Sequence, residues 1–172
     1  KIIETNQVAF GDQYTWSSYN PTTRKVIYTQ KADKLTIMDG SSQIIFTINA
    51  NDQVVSYEQI FAGTVQVLGK ERELITAKKA VEILYLGGRI NSKATVQSVK
   101  LSYYQSLVLK DFSIYSPAWY IEIRQADGQL IARRVDAIHG TILANETLET
   151  ANTQTQRTTT NNTTTTQTVQ QQ

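Results

Sequence analysis

One stretch of helical periodicity stands between two runs of strand-like sequence, and it decides what this chain can fold into. Thr76 followed by AKKAVEILYLGG puts Ala77, Val81 and Leu84 on one face, with Leu74 ahead of it and Ala80 and Ile83 widening the stripe. The Thr76 hydroxyl can accept an otherwise orphan backbone N–H of the first turn. Gly87-Gly88 supplies the stop, because glycine takes the left-handed C-cap conformation at little cost. The spacing predicts a helix over about 77–86. Three turns with a single apolar stripe must lie on something, and the segments that follow offer a sheet: 95–103, 118–124 and 130–137. Asp127-Gly128 joins the last two as a tight hairpin. Residues 138–143 are read as a short final strand after a turn at Gly140.

Ahead of the helix, residues 1–70 read as an antiparallel sheet with one buried face. Lys25-Val26-Ile27-Tyr28-Thr29 is β-branched and aromatic, and the Asn20-Pro21 before it signals a turn. Residues 34–38 follow, closed by Asp39-Gly40. Residues 43–49 alternate, with Ile44, Phe46 and Ile48 on one face. After a turn at Asn51-Asp52 the sheet resumes at 54–57, and Val65 and Val67 alternate again. The fold class expected is α+β: mostly antiparallel sheets with one principal helix packed on the C-terminal one. The expected domains are an N-terminal β subdomain, 1–70, and a helix-plus-meander subdomain, 71–145. Whether these are separate domains or one continuous sheet is left open.

From residue 146 to 172 the composition shifts to threonine, glutamine and asparagine. Such a tail buries too little apolar surface to offset its conformational entropy and is expected to be disordered in isolation. It reads either as a stalk or as an exposed terminus. Asn145-Glu146-Thr147 matches a glycosylation acceptor, a motif frequent by chance in threonine-rich sequence.

Charge and composition exclude several functions. The 172 residues carry a formal net charge of +2 and no cysteine. That leaves no large positive field to hold a nucleic acid, and no disulfide, thiolate nucleophile or cysteine zinc site. No apolar run approaches the roughly 20 residues that span a bilayer. The chain opens at Lys1 without an initiator methionine, which reads as a fragment or processed product.

No catalytic, cofactor-binding or metal site is expected. His139, beside Asp136 and Gly140, is the sole histidine; with no nucleophile to serve, no cysteine and only carboxylates as further ligands, it reads as a turn residue. Asp127 and Asp136 flank a hairpin and suggest a glycosidase-like pair, yet each has a simpler account, as turn residue and strand end. Gly87-Gly88 follows a helix, whereas phosphate-binding loops precede one. Pro117 lacks a donor N–H and is expected to start a strand near Ala118, leaving Trp119, Ile121 and Ile123 on one face. Trp119 is expected to pack on the helix stripe. Tyr103, Tyr104, Tyr115 and Tyr120 crowd the same region and would suit a recognition surface.

The order SYEQI, ELITAKKAVEILYLGGRI, LSYY, SPAWYIEI, RRVDAIHGTI resembles the extracytoplasmic part of the YycI family of bacterial two-component regulatory proteins. Related YycH proteins share features of its last domain. The resemblance covers most of residues 20–143 and none of the tail, and its Val135-Asp136-Ala137…Gly140 ending also resembles PepSY-type modules. It implies a non-enzymatic regulator without catalytic residues or cofactors. It further implies a membrane anchor through an N-terminal helix absent from this chain, and a place on the outer face of the cytoplasmic membrane of a Gram-positive bacterium. The partners implied are a sensor histidine kinase of the essential cell-wall two-component system and a YycH-type protein. Contacts with the kinase would involve the membrane helix, the interface on this part is unknown, and homodimer formation is open. The alternative is a PepSY-like wall-located module binding a protease or small ligand. A pocket between the helix and its sheet would favour it.

Overall fold

A computed structural model describes residues 8–68, 70–144 and 165–168. They gather into two units divided after Gln66.

The first unit is an antiparallel sheet of β1 (Tyr14–Asn20), β2 (Lys25–Ala32), β4 (Gln43–Ile48), β5 (Val54–Ile60) and β9 (Thr165–Thr168), in that spatial order. A short β3 (Leu35–Thr36) pairs with β2. Asn20 Oδ1 accepts the N–H groups of Thr22 (2.9 Å) and Thr23 (3.1 Å), so the turn into β2 is closed by the side chain expected there. The core is Val8, Tyr14, Ile44, Phe46 and Tyr57. Tyr28 meets Phe46 edge-on at 5.9 Å between ring centroids, a favourable aromatic geometry.

Sequence and structure differ here in three places. β1 was not expected: it is an edge strand with only Tyr14 buried and a bulge between Trp16 and Ser18, so it carries little alternation to detect. The segment 34–38 shrinks to two paired residues, after which the Ile37 N–H donates to the Gln30 carbonyl. Val65 and Val67 lie outside any strand. The chain just before them is fastened by a buried polar group instead. The Gln30 side chain accepts from Ser42 Oγ and from the Ala62 N–H (3.1 Å), and donates to the Gly63 carbonyl at 3.0 Å. A paired amide of this kind avoids the cost of an unsatisfied buried one.

The second unit holds α1 (Ala77–Leu86) and an antiparallel sheet in the order β6 (Thr95–Val108), β7 (Ser113–Arg124), β8 (Leu130–Asp136). Thr76 caps α1 as read from the sequence, its Oγ1 accepting the Lys79 N–H at 3.2 Å. At the other end Arg89 N–H donates to the Leu84 carbonyl and Gly88 N–H to that of Tyr85. This is the Schellman pattern, with Gly88 rather than Gly87 at positive φ (66°). Ala80 and Leu84 are fully buried against Ile121, Ile123 and Val135, flanked by Val81, Ile83 and Trp119. A β-carbon on Gly87 would come within 2.6 Å of Ile142 Cδ1, so this glycine also permits close packing.

The sheet extends beyond its expected bounds. β7 begins at Ser113, and Pro117 lies inside it, opposite Tyr103 of β6. The strand start expected at Ala118 is thereby corrected. Pro117 is tolerated because β8 pairs with β7 only from Ala118 onward, so the side lacking an N–H faces no strand there. β6 runs on to Val108, and residues 138–143 contribute only a bridge between Val135 and Ile142.

In the tail, residues 165–168 form β9 on the edge of β5, where an unstructured segment was expected. Asn145-Glu146-Thr147 lies outside the described residues.

Burial of the helix stripe yields a stability prediction. Leu84→Ala should cost about 2–5 kcal/mol and Thr76→Ala about 1 kcal/mol, whereas Tyr85→Ala, on the exposed side of α1, should stay within about 0.5 kcal/mol. Urea unfolding of the three variants checks the ranking.

Candidate functional site

Asp136, His139, Tyr104 and Trp119 gather at one end of the second sheet. Asp136, the last residue of β8, is buried. Its Oδ1 accepts the backbone N–H of Ile138 (2.8 Å) and of His139 (2.7 Å), and its Oδ2 accepts the Tyr104 hydroxyl at 2.8 Å. His139 Nδ1 stands 3.2 Å from Oδ1. Burial pushes the Asp136 carboxyl up. The His139 N–H, the Tyr104 hydroxyl, the Ile138 N–H and the His139 ring outweigh it and hold the carboxyl below the ordinary aspartate value. Burial, then the carboxylate that accepts its proton, pushes the Tyr104 hydroxyl up to about 12.

This arrangement is a structural clasp. Every strong donor around Asp136 is committed to the turn 137–140 or to β6, so the carboxylate fixes the chain reversal that brings Gly140 (φ 71°) close to Ile83 of the helix. Asp127 sits at the opposite end of β8, where its Oδ1 accepts the Gln129 N–H at 2.9 Å. A strand rises about 3.3 Å per residue, so the two carboxylates stand roughly 20 Å or more apart, well beyond the ~5–9.5 Å of glycosidase pairs. The His139 ring is exposed, with a side-chain exposure of 70%. Among the described residues no group of three histidine, aspartate or glutamate side chains gathers to hold a metal.

The aromatic residues divide by face. Trp119 lies on the helix side with Ile121 and Ile123, half-buried, and its Nε1–H donates to the Ile75 carbonyl at 2.9 Å. It thus ties β7 to the segment entering α1. Tyr120 points to the other face by strand alternation. It is buried, and burial, then the Glu122 charge, pushes its hydroxyl up to about 12 against the opposing effect of Arg134. Of the four tyrosines, Tyr104 is engaged by Asp136 and Tyr120 is buried. The space between helix and sheet is filled by Ala80, Leu84, Ile121, Ile123 and Val135, where the ligand-binding alternative needs a pocket.

The surface best suited to a partner lies where sequence reading stopped short. Among the described residues, β6 beyond Tyr103 and β7 before Pro117 have no strand partner but each other and form a two-stranded arm. Gln105 Nε2 donates to Ser113 Oγ (2.9 Å), Ser116 Oγ to Ser106 Oγ (2.8 Å), and the Leu109 N–H to the Phe112 carbonyl (2.9 Å). Leu107, Val108, Leu109 and Phe112 at its end are exposed, Val108 at 65% and Phe112 at 56%. A lone ribbon is marginal in water, and clustered exposed apolar side chains mark interaction sites. The signal in the sequence is the run Leu107-Val108-Leu109 between Ser106 and Lys110-Asp111, too short and unalternating to read as strand.

The model of the family described as YycI protein matches residues 1–138, a span that includes all of the first eight strands and the helix. No curated protein matches the chain. Among the described residues no helix is long and apolar enough to cross a membrane.

Asp136 makes stability depend on pH in a defined direction. Its folded carboxyl titrates below the unfolded value of about 3.9, so the folded state binds that proton less readily than the unfolded state. The stabilisation is present in full above about pH 5 and is lost as pH falls through the lowered folded value. Asp136→Asn should therefore lower the denaturation midpoint clearly at pH 7 and progressively less below pH 4. Urea midpoints of both proteins across pH 2.5–7 measure this.

Proposed function

The chain belongs to the YycI family, and from that premise we propose that it is a non-enzymatic accessory regulator of a membrane sensor histidine kinase. YycI is a regulatory family linked to a two-component system. The finer reading is that the protein acts by protein–protein contact at the outer face of the cytoplasmic membrane of a Gram-positive bacterium. There it would be anchored by an N-terminal helix, beside the kinase and a YycH-type protein. The observation that carries the reading is the family match across the strands of both units. The end of the β6–β7 arm supports it, because Leu107, Val108, Leu109 and Phe112 are exposed apolar side chains outside the core cluster of the described residues of their unit.

A regulator of this kind shifts a kinase between signalling states only by binding one state better than the other. Coupling free energies between such sites are typically about 1–3 kcal/mol, roughly 5–150-fold in an equilibrium constant. Removing the protein should therefore change the output of the kinase several-fold in cells. Restoring it with Leu107→Ser and Phe112→Ser together should recover less of that output than the wild type does, at equal protein level. Target-gene expression in the deletion and complemented strains reads both effects. Unchanged expression after clean deletion would sink the proposal, and full rescue by the double variant would remove the arm from it.

A further inference from the structure

In the first unit, β5 is hydrogen-bonded to β4 on one side, and its other side is a sheet edge that β9 covers. The pairing is antiparallel: Ser56 faces Thr168, Tyr57 faces Gln167, Glu58 faces Thr166 and Gln59 faces Thr165. β5 is anchored in the core through Tyr57, and Gln59 Nε2 donates to the Ala9 carbonyl at 2.7 Å. β9 is Thr-Thr-Gln-Thr within NNTTTTQTVQQQ, a sequence without the apolar alternation that fixes register. Threonine favours extended backbone, and the four consecutive threonines 163–166 offer nearly equivalent one-residue slips. The attachment described is main-chain pairing, the hallmark of strand addition to an exposed edge.

We propose that the outer edge of β5 is a strand-addition site, which the chain's own threonine- and glutamine-rich tail occupies and closes. A long open edge invites pairing with other chains. Residues 165–168 act as a removable cap fitted by backbone pairing, and the edge becomes available when the cap leaves. The site selects an extended segment of small polar β-formers. This proposal does not depend on the regulatory reading, because it rests on the backbone pairing of β5 with residues 165–168.

The double variant Thr166→Pro/Gln167→Pro in the full chain provides the test. Successive strand residues direct their N–H groups to opposite sides, so one of the two prolines must remove a ladder bond to β5. Amide hydrogen exchange of residues 56–59 is expected to be about tenfold faster or more at the outward-facing positions, with Ile44 and Phe46 on β4 unchanged. A synthetic peptide of residues 161–172 should restore protection to the variant, and should bind the wild type more weakly because its own tail competes. Equal exchange of residues 56–59 in the two proteins would overturn the proposal. So would a peptide that binds the variant without protecting those amides.

Discussion

The second unit depends on the contact of one helical stripe with one strand. Ala80 and Leu84 meet Ile121 and Ile123 of β7, with Val135 of β8 beside them, and all five are inaccessible to solvent. Each large aliphatic side chain so buried contributes about 1.5–3 kcal/mol, more than any surface ion pair here, such as exposed Lys79–Glu82. The helix packs its apolar face on β7 and β8, with Ile90, Val96 and Ile142 closing the cluster, and β7 is the central strand. Fixing β7 against the helix therefore fixes the pairing of β6 and β8 as well. The polar details act on this frame: the Trp119 indole joins β7 to Ile75, and Asp136 secures the turn that returns the chain to the helix.

Local signals explain which parts were legible in the sequence. Helix α1 was readable to the residue, because a threonine cap, a 3.6-residue stripe and a glycine stop all coincide. β4 and the β7–β8 hairpin were readable from alternation and Asp127-Gly128. β1 was not, since an edge strand with a bulge buries one side chain and leaves no periodic trace. Pro117 misled for a physical reason: a proline is disfavoured where a strand has neighbours on both sides, and β7 has one neighbour at that point. The pairing of β9 was illegible because it depends on an open edge elsewhere in the chain, which composition cannot reveal.

Function is harder to read than fold in such a chain, because its polar residues are committed to structure. Asp136, Tyr104 and Trp119 attract attention as candidates, and each spends its hydrogen-bonding capacity within the unit. Asp127 and Asp136, adjacent to one hairpin in sequence, are held at opposite ends of a strand, which removes the pair from glycosidase chemistry. The proposed function accordingly rests on surfaces. The β6–β7 arm was undervalued in the sequence since its pairing outlasts any alternation, and its apolar end is visible only once β8 is seen to stop short of it.

The central claim, that this YycI-family protein works by touching a sensor kinase, is most directly tested by crosslinking in cells. A photoreactive residue at position 112 of the membrane-anchored protein, with the same probe at exposed Tyr85 as control, would be irradiated and the adducts identified. The account predicts a kinase adduct that depends on position 112. Adducts with a protease or wall component, and none with a kinase from either position, would contradict it.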